Sequence, residues 1–163
     1  FKYEASVFDK NTMNWPDYRD AQKSFMLGWC NGSPGVLLSR IGSIKIVQDE
    51  QIYKDIELSL EGLKSAKIQR RDNLCCGNFS IVESLLSASV YSHDYKLEAL
   101  AIEKTIEIIQ AHGHVGFMTN YSIVKGLEAS SYNVSFFQGM SGIGYTLLRL
   151  VKPEQIPCLL LWE

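Results

Sequence analysis

Three cysteines give this chain its chemistry: Cys30, in GWCNGSPG, and the adjacent Cys75 and Cys76, in NLCCGN. Each lies in a short glycine-bearing turn, and a helical pattern follows each turn. Three thiolates gathered from two loops make a shell for a zinc ion with one position left open. Through that position a substrate atom can reach the metal. Neighbouring side chains on a regular element point apart, so Cys75 and Cys76 need an irregular turn to share an ion. Gly77 supplies backbone freedom for it, and Gly32, Pro34 and Gly35 do the same around Cys30. A zinc dication held by three thiolates carries one net negative charge. That makes a poor Lewis acid toward water or a carbonyl, and it disfavours a zinc hydrolase. It suits a fourth, exchangeable thiolate, which the metal keeps deprotonated at neutral pH.

Other uses of these cysteines stand beside that one. Cysteines also serve as small buried hydrophobes, and Cys158 or a histidine as fourth ligand would close the site into a structural one. Cys158 sits in the apolar run IPCLLLWE and reads as core. His112 and His114, in AHGHVG, follow a helix end and read as solvated, and His93 as structural or exposed. Arg149 reads as a salt-bridge partner inside the scaffold. Trp29 and Phe79 flank the cysteine turns and are expected to wall the site. Ser33 and Ser80 have no paired base near them in sequence, so nucleophilic serine chemistry is unsupported.

The elements that must position the cysteines repeat. CNGSPGVLLSRI begins at Cys30, CCGNFSIVESLL at Cys75 and FQGMSGIGYTLL at Phe137, with Gly32, Gly77 and Gly139 in register. Each unit is a glycine turn leading into an apolar, small-residue helix, the composition of a buried helix. Between the units lie amphipathic helices, predicted over Asp49–Lys67 and Asp94–Ala111, the second closed by Gly113. No strand alternation of any length appears. The fold class is therefore all-α, with inner helices facing a common centre and outer helices facing solvent. Cys30 and Cys75 are 45 residues apart, about one helical hairpin with its connections. Equivalent turns then meet around a central mouth. The third unit, with Phe137 and Gln138, repeats the scaffold without the ligands. The segment His112–Ser135 is expected to be a long loop, and residues 1–20 a helix or connection.

Composition narrows the function classes. The chain has 163 residues, 46% hydrophobic and 21% charged, as in a soluble globular domain. A net charge of -2 and a pI near 6.0 give no basic excess for nucleic acid. No apolar run reaches the roughly 18 residues of a membrane helix. The chain begins at Phe1 without a signal-peptide pattern, which suggests a fragment or processed product. Adjacent cysteines fit metal ligation in a reducing, cytoplasmic compartment better than a disulfide framework.

At WCNGSPG (Trp29–Gly35), LCCGNF (Leu74–Phe79) and GMSGIGYTLLRL (Gly139–Leu150) the chain resembles the C-terminal part of class II lanthipeptide synthetases, the LanM type. Their last domain is a LanC-like cyclase, and the ending PEQIPCLLLWE is similar to theirs. The resemblance implies an α/α toroid, of which residues 1–163 would be the C-terminal part, without the upstream hairpins and the dehydratase domain. It implies Zn2+ held by Cys30, Cys75 and Cys76. The implied reaction, in lantibiotic biosynthesis, adds a cysteine thiolate of a precursor peptide to dehydroalanine or dehydrobutyrine and forms a lanthionine or methyllanthionine ring. A general acid then protonates the resulting enolate. The implied partner is the lanthipeptide precursor, and the resemblance leaves room for transporter association of the parent. Asn31 stands where relatives often carry Tyr or His. It cannot act as an acid at neutral pH and is left an orienting role on an enolate oxygen. That departure keeps an alternative open: a zinc-holding, thiol- or partner-binding LanC-like module without cyclase activity.

Overall fold

A computed structural model describes residues 1–19, 22–114, 116–119 and 133–162 of the chain. Among the described residues there are six α-helices: α1 (Lys2–Val7), α2 (Ser33–Ser43), α3 (Glu50–Lys64), α4 (Asn78–Ser92), α5 (Tyr95–His112) and α6 (Met140–Val151). A two-residue antiparallel ribbon, β1 (Pro16–Asp17) with β2 (Ser24–Phe25), precedes Cys30. It is too short for any side-chain period to reveal. A 3-10 turn at Leu159–Leu161 ends the described chain.

The two classes of helix start differently. The amphipathic helices have aspartate caps: Asp49 accepts from Gln51 N ahead of α3, and Asp94 from Lys96 N ahead of α5. The helices of the glycine units, α2, α4 and α6, begin after Gly32, Gly77 and Gly139, with no side-chain cap and no acidic residue in the first turn. Helix α4 lies in the middle, packed on α2 to one side and α6 to the other, with α5 against its back and α3 against α2. Asn78–Ser89 of α4 are all buried, as the apolar and small residues around its whole circumference require. The predicted helices over 49–67 and 94–111 stand within a few residues of their expected ends.

Apolar side chains from every layer meet in one core, among them Leu37 and Ile41 of α2, Leu63 of α3, Phe79, Leu85 and Leu86 of α4, Ala101 and Ile108 of α5, and Ile143 of α6. Small residues allow close helix contact: Ser84 Oγ reaches Pro34 O at 3.2 Å across the α2–α4 seam. Two buried arginines lock neighbouring elements. Arg40 of α2 pairs with Asp55 of α3 at 2.8 Å and Glu4 of α1 at 2.6 Å. Arg149, which lies inside α6, pairs with Glu83 of α4 at 3.1 Å, a salt bridge within the scaffold as expected. Removing one partner of such a pair strands a buried charge and costs about 3–5 kcal/mol. Cys158 is core, packed with Leu38, Leu74 and Leu160. Burial pushes its thiol up to about 12, so it is inert at neutral pH. Most of the expected loop at 112–135 lies outside the described residues. Among the described residues no helix is long and apolar enough to cross a membrane.

Candidate metal centre

The three glycine turns line up edge to edge and are hydrogen-bonded in series. Trp29 N and Cys30 N both point at Cys75 O (2.8 and 3.4 Å), and Cys75 N donates to Phe137 O at 2.8 Å. The turns of successive repeats are therefore neighbours. That contact brings Cys30, Cys75 and Cys76 together, with their Sγ atoms all within 4.8 Å of one another. A tetrahedral shell with zinc–sulfur bonds of about 2.3 Å has sulfurs about 3.8 Å apart, so small side-chain rotations close the cluster on an ion. Cys30 is exposed and the other two are half-buried, which leaves one side of the cluster open.

Backbone close approach explains the glycines. A Cβ on Gly32 would lie 1.9 Å from Met26 O, one on Gly77 2.6 Å from Arg71 O, and one on Gly139 2.2 Å from Asn133 O. Each carbonyl is six residues before its glycine, so the three turns share one construction. Asn73 fixes the second turn: its Oδ1 accepts from Cys76 N at 2.9 Å and meets Cys76 Sγ at 3.5 Å.

Electrostatics here favour one thiolate, at Cys76. Helices α2 and α4 begin at Ser33 and Asn78, within three residues of the cysteines, and direct the positive ends of their dipoles toward them. The neighbouring Cys30 and Cys75 thiols hold the Cys76 sulfur well below the ordinary thiol value, helped by the nearby Arg71 guanidinium. Cys30 and Cys76 in turn push Cys75 up. The cluster thus parts with its first proton readily and with the later ones reluctantly, as coupled sites do. A metal ion would displace those that remain.

The other singled-out residues sort clearly. His112 is half-buried and partnered rather than a free loop histidine. Its Nδ1 lies 2.8 Å from Oδ2 and 3.0 Å from Oδ1 of the fully buried Asp72, which also accepts from Met118 N and Asn78 Nδ2 at 2.7 Å each. Asp72 thereby ties the end of α5 and residue 118 to the base of the Cys75 turn. Its position, three residues before Cys75, was a signal available in the sequence, but nothing there pairs it with His112. His93 is an exposed left-handed cap of α4, and His114 is exposed. Neither joins the thiols. Trp29 walls the site as expected, stacked on Phe137 with ring centres 5.3 Å apart. Phe79 does not: it is fully buried in the core, edge-on to Phe117. Asn31 lies beside Cys30, where its Oδ1 is enclosed without a hydrogen-bond partner among the described residues. A cleft of about 270 Å³ opens next to it, lined by Tyr3, Trp15, Tyr18, Trp29 and Cys30.

Residues 1–161 match the family described as lanthionine synthetase C-like protein. The chain belongs to that family. It is also similar to the lacticin 481/lactococcin biosynthesis protein LcnDR2 of Lactococcus lactis subsp. lactis, with 25% identity over 148 residues. The alignment takes in 86% of this chain and 16% of that protein, so the chain spans about a sixth of the relative's length. Both comparisons support the class II lanthipeptide synthetase resemblance carried by the cysteine turns, and the all-α architecture agrees with a LanC-like chain.

Proposed function

We propose that this chain is the C-terminal portion of a lanthionine cyclase domain, and that Cys30, Cys75 and Cys76 hold zinc at its reaction centre. The observation that carries the reading is the convergence of three thiols from two repeat turns, open on the Cys30 side, in a LanC-like chain. The wider architecture proposed is an α/α toroid, with the turns around its mouth, in a cytoplasmic enzyme acting on a lanthipeptide precursor. Zinc bound there would keep a substrate thiol deprotonated while leaving it nucleophilic.

The residues of the chain bind and orient. The aromatic cleft beside Cys30 takes peptide flanking the reacting cysteine, and Trp29 stacked on Phe137 limits water on that side. The bond formed joins the substrate sulfur to Cβ of a dehydroalanine or dehydrobutyrine. The π electrons move onto the carbonyl oxygen and Cα then takes a proton. Asn31 is placed to orient the peptide next to the cluster.

The test is zinc content and ring formation by the intact protein on dehydrated precursor, wild type beside Cys75→Ala. Near-stoichiometric zinc with ring formation, both lost in the variant, is the expected result. A well-folded wild type without zinc overturns the reading. A second reading, a zinc-holding module that binds thiols or partners without forming rings, is favoured by one feature: Asn31 supplies no proton beside the thiols. Stoichiometric zinc with no ring formation on any dehydrated precursor would select it.

A further inference from the structure

The first turn is built differently from the other two, and one side chain accounts for the difference. In the second and third turns the amide after the glycine donates to the carbonyl seven residues back: Asn78 N to Arg71 O at 2.8 Å, and Met140 N to Asn133 O at 2.7 Å. The corresponding pair in the first turn is Ser33 N and Met26 O. There the Asn14 carboxamide stands between them. Its Oδ1 accepts from Ser33 N at 2.7 Å and from Ser33 Oγ at 2.9 Å, and its Nδ2 donates to Met26 O at 2.9 Å. One backbone bond is replaced by two bonds through an inserted amide. The glycine changes with it: φ is +98° at Gly32 against -130° at Gly77 and -135° at Gly139. Only glycine adopts that value cheaply.

We propose that Asn14 is a positioning residue for the thiol cluster: its inserted amide holds the first turn in the opened form that turns Cys30 toward Cys75 and Cys76. Asn14 is itself held firmly enough to do this. It is 2% exposed, its backbone bridges Asp9 in both directions (3.0 and 3.2 Å), and its Oδ1 also accepts from Trp15 N at 2.8 Å. The Met13 carbonyl just before it lies 3.1 Å from Ser33 Oγ and shares that hydroxyl hydrogen with Asn14 Oδ1. The carboxamide is the group the gap requires, because it must accept on one side and donate on the other.

The inference rests on the thiols being a metal site, and its test separates the two. Zinc affinity of the intact protein carrying Asn14→Ala is measured by chelator competition, together with the sulfur-to-metal charge-transfer absorption of the Co2+-substituted form. Affinity is expected to fall about 10- to 100-fold, as for other residues that orient ligands, and the absorption to weaken as one thiolate leaves the shell. Asn133→Ala, at the third-turn residue that matches Met26, removes an amide that bonds within its own turn (Nδ2 to Gln138 O at 3.1 Å), and is expected to leave both unchanged. Unchanged affinity and absorption in Asn14→Ala overturn the inference, as does an equal loss in Asn133→Ala. Should Asn14→Ala not fold, Asn14→Asp replaces it. That side chain keeps its size and its acceptor toward Ser33 but sets a second oxygen against Met26 O, and the same losses are expected. A wild type that binds neither metal overturns the metal reading itself.

Discussion

The turn at Cys75 and the turn at Phe137 have one backbone and two chemistries. Both make the same amide-to-carbonyl bond after their glycine, at 2.8 and 2.7 Å, and both glycines sit near φ -130°. One turn presents two thiols, and the other presents Phe137 and Gln138. The turn is therefore a property of the repeat, and the cysteines are an addition that the turn tolerates. Thiols did not have to build the geometry that holds them. The sharpest way to break this comparison is to remove side chains from each turn in parallel. Cys75→Ala should reduce bound zinc from about one equivalent to almost none, while Phe137→Ala should leave it near one, because a three-thiolate shell cannot spare a ligand. Unfolding of the metal-free forms should differ from wild type by about 1 kcal/mol or less for Cys75→Ala, as for other half-buried substitutions away from strained backbone. Metal analysis and denaturant titration of both variants decide it. A large loss of stability in metal-free Cys75→Ala would mean that the thiol is part of the turn after all.

The comparison also predicts where the two turns must behave alike. A Cβ at Gly77 meets Arg71 O at 2.6 Å, and one at Gly139 meets Asn133 O at 2.2 Å. Both contacts are to backbone, which cannot swing aside. Gly77→Ala and Gly139→Ala should each cost about 2 kcal/mol or more, in the range of substitutions that force backbone movement. Gly77→Ala should weaken metal binding as well, whereas Gly139→Ala should lower stability alone. Chemical denaturation and chelator competition separate the two effects. Similar zinc loss in both variants would show that the third turn supports the cluster through the Cys75 N to Phe137 O bond.

Much of this was legible in the chain before any coordinates. The register of the three glycine units, the two amphipathic helices between them and the meeting of Cys30 with Cys75 and Cys76 follow from periodicity and spacing, because each is set locally and then repeated. Of the glycine-led helices expected to be buried, α4 is, whereas α6 buries only Gly142, Ile143, Thr146 and Arg149. What stayed hidden depends on single long-range hydrogen bonds. Asn14 lies 19 residues before the Ser33 it serves, in a stretch with no period. His112 reads as a loop histidine until the fold brings it to Asp72, 40 residues earlier. Phe79 sits next to the cysteine turn in sequence, yet the helix starting at Asn78 turns it into the core rather than toward the mouth. Neighbourhood in sequence is a poor guide where a helix begins, since successive side chains there diverge by about 100°.

The pairing of His112 with Asp72 offers a finer distinction, because it ties the cysteine-bearing turn to the end of α5. His112→Ala removes one of the groups facing a fully buried carboxylate and leaves Met118 N and Asn78 Nδ2 in place. The expected loss is about 1–2 kcal/mol in global stability, the cost of a buried polar group deprived of one partner. Amide hydrogen exchange should quicken at Asp72 and Met118, whose backbones are bonded at 2.7 Å, before it quickens within α4. No change in exchange there would mean that the backbone bond alone anchors the turn.

The smallest effect has the opposite sign and comes from the same helix as the third turn. Gly144 lies within α6, exposed, and a Cβ built on it meets nothing within 4 Å. Unlike Gly139 and Gly142, each of which presses against a carbonyl, it has no close approach to preserve. Its remaining effect is the helix propensity it lacks, so Gly144→Ala should stabilise the chain by up to about 1 kcal/mol. The gain should appear as a higher denaturation midpoint with an unchanged slope. The outcome also probes the wider architecture. If another helix lies against this face of α6 in the intact protein, the added methyl group will meet it, and the substitution will destabilise. Under the proposal that the chain is part of a longer ring, Gly144→Ala measured in this chain and in the longer protein reports whether α6 is an edge or a seam of that ring.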